Sequence, residues 1–244
     1  MMATATTQGF RETMKTLRSA QKGHARGAPA YSVYVNRRIG RVLAALAHGW
    51  GLTPNQVTAV SSLHTFTAIV LLATVPVSVW LGILVAVLLV LGYAWDSADG
   101  QVARLRGGGS VAGEWLDHFV DAAKISSLHL AVAIGLFRFV PDLPPVVLLL
   151  PLCFSAVATT TFFGMLLNDL LKGARGIPST HARGGGTVRR SLLLLPTDFG
   201  MLCLSFALWG TPAFLPVYGA LALVSTLFLA AASVRWFREM RRAG

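Results

Sequence analysis

The sequence predicts an all-α, multi-pass membrane protein: six transmembrane helices preceded by an amphipathic helix in the membrane interface. Three observations carry this reading. First, 54% of the 244 residues are hydrophobic and only 13% are charged, a charged share well below that of a soluble domain. The mean hydropathy of +0.62 agrees. Second, the apolar residues gather into runs of about 20, the length that crosses a bilayer. Third, the net charge of +11 comes from 21 Lys and Arg that flank these runs. They do not interleave with aromatic residues, so the excess charge suits anionic headgroups and the positive-inside rule, and no nucleic-acid partner is expected.

The elements follow in chain order. Residues 1–30 are polar and basic, with no apolar signal region, and are expected to form a flexible cytoplasmic tail. Over residues 31–50, Tyr31, Val35, Ile39, Val42, Leu43, Leu46 and Trp50 recur at helical spacing, with Arg37, Arg38, Arg41 and His48 among them. That pattern predicts the interfacial helix. Residues 51–244 are expected to form one transmembrane domain, with spans near 55–75, 78–101, 114–137, 145–170, 190–209 and 213–235. Pro76, the Pro141–Pro145 stretch, the Gly- and Arg-rich segment 172–190 and Gly210-Thr211-Pro212 separate them. Cys153 and Cys203 lie in apolar runs and read as core residues.

Charge sets the topology. Eight basic residues precede the first span, and Arg104, Arg106, Lys172, Arg175, Arg183, Arg189, Arg190, Arg235, Arg238, Arg241 and Arg242 fall at the same side in a six-span arrangement. Only Arg138 falls at the other. Both termini and the active site are therefore expected in the cytoplasm, and the protein in a cell membrane, the inner membrane if the source is bacterial.

The acids are not spread evenly. Asp96, Asp99, Glu114, Asp117 and Asp121 lie within 26 residues, across the end of the second span and the start of the third. Carboxylates in a membrane helix are unfavourable, by about 2.5–3.5 kcal/mol each on insertion scales, and several together repel one another. Asp96 and Asp99 share one helix face at i,i+3, and Asp117 and Asp121 share another at i,i+4. The Gly-rich connection between the helices allows an antiparallel hairpin that turns the two faces toward each other. Four carboxylate groups around one polar pocket suit hard divalent cations, Mg²⁺ or Mn²⁺, and two such ions can clamp a phosphate. Gly100 and Gly113 sit in helices, where glycine is unfavourable unless something approaches closely. Arg104 supplies a permanent cation at the same mouth.

In order, the residues read Asp96-Ser-Ala-Asp99-Gly100-Gln-Val-Ala103-Arg104, eight residues, Gly113, three residues, Asp117, three residues, Asp121. This resembles the signature of the CDP-alcohol phosphotransferase family, DxxDGxxARx(8)GxxxDxxxD, at every fixed position. Thr53-Pro54-Asn55-Gln56-Val57-Thr58 resembles the family's TPNxxT lead-in. The resemblance implies an enzyme that cleaves a CDP-linked donor, transfers the substituted phosphate to an alcohol and releases CMP. It implies two divalent ions on Asp96, Asp99 and Asp117, with Asp121 approaching them as general base. It further implies a cytidine-diphosphate site shaped by Gly100, Ala103, Arg104 and Gly113, with Asn55 and Thr58 from the lead-in, and a homodimer.

CDP-diacylglycerol is the preferred donor, and a soluble CDP-alcohol with a lipid hydroxyl as acceptor is the alternative. Gly113-Glu-Trp-Leu-Asp-His-Phe-Val-Asp-Ala122 resembles the GELFDHxxDA form of choline and ethanolamine phosphotransferases, not the LDPxxDK or LDSxxDR forms of the phosphatidylglycerophosphate and phosphatidylinositol-phosphate synthases. Glu114 and His118 are candidates to assist proton transfer or bind substrate. Lys124 is a candidate to neutralise the acids or hold an acceptor phosphate. Arg175, Arg183, Arg189, Arg190 and Asp198 are candidates for the acceptor side. His64 and His129 read as core histidines. A divalent-cation transporter would also use intramembrane acids, but it would spread them along a path, and here they cluster at one end.

Overall fold

The computed structural model describes residues 9–19, 28–178 and 187–243, and among these it contains helices and no strand. The helices are α1 (Phe10–Ser19), α2 (Arg37–Gly49), α3 (Pro54–Thr74), α4 (Val79–Leu105), α5 (Val111–Phe139), α6 (Leu149–Gly173), α7 (Val188–Leu193), α8 (Phe199–Ser205) and α9 (Phe214–Ala243). Five of them, α3, α4, α5, α6 with the turn before it, and α9, are long and apolar enough to cross a membrane.

Their starts follow from local chemistry. Thr53 and Gln56 form a reciprocal capping box ahead of Pro54, which needs no amide partner in the first turn. Ser78 and Ser110 cap α4 and α5 through their hydroxyls. Between α4 and α5 only Arg106–Ser110 lie outside helix, and Gly107 and Gly108 there take φ of 93° and 134°. A side chain at either position would strain that turn.

Two expectations change. The tail predicted to be flexible contains α1, which buries Leu17 and Thr13, because Leu17 finds Ala44, Ala45 and Ala47 of α2 and Val102 of α4. The span predicted over 190–209 is not one helix. It is α7, a short turn at Leu195–Thr197, α8 and another turn at Phe206–Leu208. Pro196 has no amide to donate, and Asp198 caps a fresh start by accepting from the Gly200 amide at 2.9 Å.

The interfacial helix opens with a π-helical stretch, Ser32–Asn36, before α2. Its small face is buried against α4: a Cβ added at Gly40 would meet Ser97 Cβ at 2.9 Å. Val35, Ile39, Val42 and Trp50 remain exposed on the opposite side, as an interfacial helix requires. The main core lies between α3, α4, α5 and α8 and closes on Phe154, Phe206, Trp209, Phe214 and Tyr218.

Candidate active site

The α4–α5 hairpin places the two acidic helix faces together. One oxygen each of Asp96, Asp99 and Asp117 lies within 4.8 Å of the others, and the same holds for ligand atoms of Asp117, His118 and Asp121. The two groups share Asp117. Asp99 is the most enclosed acid of this cluster, 7% exposed, and its Oδ2 accepts from the Thr58 hydroxyl at 2.7 Å. Lys124 is equally buried, and its Nζ lies 2.5 Å from Asp96 Oδ1 and 2.7 Å from Asp121 Oδ1.

These residues fit divalent cations on an observation of their own: Asp117 Oδ1 is buried and makes no hydrogen bond. An anionic oxygen left bare among other carboxylates needs a cation. A single ammonium faces four carboxylates, and it reaches only two of them.

A pocket of about 230 Å³ opens beside the acids, lined by Arg37, Asp96, Ser97, Asp99, Gly100, Gln101, Arg104 and Asp117. Gly100 lies on its wall, and a Cβ there would meet no protein atom closer than Arg104 Nη1 at 3.7 Å. Packing within the protein therefore does not require this glycine, and the space in front of it is free for a ligand. Gly113 is different: a Cβ would meet Asn55 Oδ1 and Ser110 Oγ, both at 3.2 Å. Asn55 and Gly113 are thus neighbours although α4 separates them in sequence. Ala103 is half-buried one turn from Gly100.

The remaining predicted residues divide. His118 Nε2 lies 3.9 Å from Glu114 Oε1, and both stand at the outer rim of the acidic cluster, with Glu114 exposed. Thr58, expected beside the cytidine diphosphate, donates its hydroxyl to Asp99 and is buried. Asp198, expected on the acceptor side, accepts from the amides of Ser32 at 2.7 Å and Gly200 at 2.9 Å, which ties the start of the interfacial helix to α8. Arg175 donates to the Leu171 carbonyl at the exposed end of α6. Arg189 and Arg190 are exposed on α7, and Arg183 lies outside the described residues.

Sequence reasoning missed Arg37 and Gln101. Gln101 Nε2 donates to Ser97 O at 3.1 Å and to Arg37 O at 3.4 Å, which fixes α2 beside α4. Gln101 occupies a variable position of the motif and Arg37 lies 59 residues before Asp96, so neither carried a signal. Missed as well was a second, larger cavity of about 680 Å³ between α5, α6, α8 and α9, which Arg37 also lines.

Fold and site together define a multi-pass membrane protein with a polar, carboxylate-lined pocket at one end of its helices. The chain matches the CDP-alcohol phosphatidyltransferase family over residues 51–234 and belongs to it. It is 36% identical over 98 residues to the archaetidylinositol phosphate synthase of Pyrococcus horikoshii, a match covering 40% of this chain and 47% of that protein. The aligned part thus spans about half the length of that relative. Two crystal structures of Mycobacterium tuberculosis phosphatidylinositol phosphate synthase (PgsA1) are also similar. The one with CDP-DAG bound gives a TM-score of 0.48 at 20% identity, covering 81% of this chain and 90% of that one. The one with manganese and citrate gives 0.47 at 20% identity, covering 83% and 89%.

Proposed function

We propose that the protein transfers a substituted phosphate from a CDP-linked donor, CDP-diacylglycerol in the first instance, to an alcohol hydroxyl and releases CMP in phospholipid synthesis. One observation carries the reading most: Asp96, Asp99 and Asp117 converge, Asp117 Oδ1 is buried without a hydrogen bond, and a pocket walled by Gly100 and Arg104 lies beside them. Family membership supports the same reaction.

In this reading Asp96, Asp99 and Asp117 hold divalent ions, Mg²⁺ or Mn²⁺, and Thr58 orients Asp99 for that task. When bound, such ions supply positive charge against the pyrophosphate oxygens, in the way metals stabilise phosphoryl transfer. Gly100 lets the diphosphate approach the α4 backbone, and Arg104 offers its guanidinium to a phosphate oxygen. Asp121 takes the proton of the acceptor hydroxyl. The hydroxyl oxygen bonds to the phosphorus that carries the lipid, the bond from that phosphorus to the CMP oxygen breaks, and CMP leaves. Lys124 holds Asp121 and Asp96 at a fixed separation and balances part of their charge.

A soluble CDP-alcohol donor with a lipid acceptor is the second reading, favoured by the Gly113–Ala122 wording. The charge asymmetry supports a cytoplasmic site and cytoplasmic termini. A cysteine at Gly109 that reacted only from the opposite side of the membrane would overturn that orientation. A homodimer follows from the family resemblance.

The reaction is tested by CMP release. Purified protein with Mn²⁺, labelled CDP-diacylglycerol or CDP-alcohols and a panel of acceptors should release CMP, with full loss in excess EDTA and recovery on adding Mg²⁺ or Mn²⁺. Turnover at the full rate in EDTA would remove the metal from the mechanism.

A further inference from the structure

The two groups of converging ligand atoms differ in chemistry. Asp96, Asp99 and Asp117 form an all-oxygen set, whereas the second group joins His118 to Asp117 and Asp121. These three stand at i, i+1 and i+4 on α5, within about one turn of helix. A hard ion such as Mg²⁺ takes oxygen ligands, while first-row transition ions also accept imidazole. The histidine therefore bears on which ion the second group prefers.

Both ring nitrogens of His118 are placed for such a role. Nδ1 is buried and makes no hydrogen bond, and Asp117 Oδ1 on the preceding residue is in the same state. Leaving either atom unpaired is unfavourable, and one cation would answer both. The other nitrogen, Nε2, lies 3.9 Å from Glu114 Oε1, one turn back on α5. A histidine that ligates a metal almost always gives its second ring N–H to a carboxylate, a carbonyl or water. That partner fixes the tautomer and leaves the lone pair of the first nitrogen for the ion.

Carboxylate oxygens are scarce in this group. Asp117 is shared with the all-oxygen set. Asp121 Oδ1 is taken by Lys124 Nζ at 2.7 Å. A cation held here needs a further donor, and His118 supplies one. The ring is also kept from swinging freely, because Phe162 of α6 packs against it edge to face at 6.3 Å.

We propose that His118 is a metal ligand: its Nδ1 binds a divalent ion held on Asp117 beside Asp121, Glu114 holds the opposite ring N–H, and the nitrogen makes this position select Mn²⁺ over Mg²⁺. This rests on the metal-assisted reaction proposed above and adds a ligand and a metal preference to its site. The proton of the acceptor hydroxyl stays with Asp121.

The test reads the bound ion directly. Untagged full-length protein in detergent is loaded with rising Mn²⁺ alone and studied by pulsed EPR. The unaltered protein should show the nitrogen modulation of a coordinated imidazole. His118→Ala should lose that signal and keep Mn²⁺ bound to the all-oxygen set. Displacement of Mn²⁺ by Mg²⁺ gives the selectivity, and the preference for Mn²⁺ should fall by about tenfold or more in His118→Ala. Glu114→Gln should keep the nitrogen signal and weaken Mn²⁺ binding by roughly tenfold, the usual effect of losing a carboxylate behind a ligating histidine. His118→Asn serves if the alanine variant fails to fold. It offers an amide oxygen near the Nδ1 position and should bind Mg²⁺ relatively better without any nitrogen signal. Lack of nitrogen modulation in the unaltered protein overturns the proposal. So does a signal that persists in the His118 variants, or a selectivity they leave unchanged. Mn²⁺ bound with its nitrogen, but no CMP released from any CDP-linked donor, is a different result. It would sink the transfer reaction and leave His118 established as a ligand.

Discussion

Helices α3, α4 and α5 pack far more completely than α6 and α9 do. In the apolar window of each of the first three, 39% of residues are buried; in α6 the share is 11% and in α9 17%. Several glycines of α4 and α5 are closely packed at atomic scale. A Cβ at Gly135 of α5 would run into the Leu72 carbonyl of α3, and one at Gly92 of α4 into the Thr65 hydroxyl. A Cβ at Gly82 would come 2.6 Å from the Phe206 carbonyl. By contrast α6 and α9 border the 680 Å³ cavity. The close-packed half carries all four aspartates of the cluster and the looser half surrounds open space. Carboxylates that repel one another keep a fixed geometry only if the helices beneath them cannot shift, whereas helices that do not fill the space between them leave a cavity open.

The comparison can be broken at three points. The largest effect is expected at the rigid end. Asp96→Asn and Asp99→Asn should abolish turnover and weaken Mn²⁺ and donor binding together, because each removes a charged oxygen ligand. Asp121→Asn should lower the rate by roughly 10²–10⁴-fold while donor affinity survives better. Donor affinity and rate measured side by side decide it. Equal loss of donor binding in all three variants would make Asp121 a metal ligand and remove it as the base.

A smaller effect is expected at Thr58. Thr58→Val keeps the shape and removes a buried hydrogen bond to Asp99. Such a bond to a charged group contributes about 1.5–3 kcal/mol, so Mn²⁺ affinity should fall by roughly tenfold or more. Unchanged Mn²⁺ affinity would mean that Asp99 is positioned by its helix alone.

The smallest effects compare the two halves directly. Gly135→Ala should destabilise the protein by about 1–3 kcal/mol through overpacking. Ala158→Phe adds a much larger side chain next to open space and should change stability by less than about 1 kcal/mol. Thermal unfolding in detergent reads both. Similar losses for the two variants would erase the distinction between packed and open halves.

Much of this was legible in the chain. The helical class, five of the spans and the interfacial helix follow from apolar periodicity and run length, which depend on local sequence alone. The aspartates were legible because i,i+3 and i,i+4 spacing fixes a shared face and a short Gly-rich turn fixes the hairpin. Other features needed the folded arrangement. Pro196 and Asp198 break the apolar run over 190–209 into short helices, and run length cannot register where a helix restarts. Thr58 lies 41 residues before Asp99, and only the packing of α3 on α4 aims its hydroxyl at that carboxylate. Lys124 could be suspected from its place three residues after Asp121, but its reach to Asp96 is a contact between helices. Arg37 became a site residue because Gly40 and its small neighbours let α2 lie against α4. The cavity is the furthest from the sequence, since it is an absence of atoms between four helices and no single residue encodes it. The sequence by itself thus determined which groups could do chemistry and on which helix faces they stand. Only the tertiary structure decided which of them meet and where space remains, because contact and void depend on how whole helices pack.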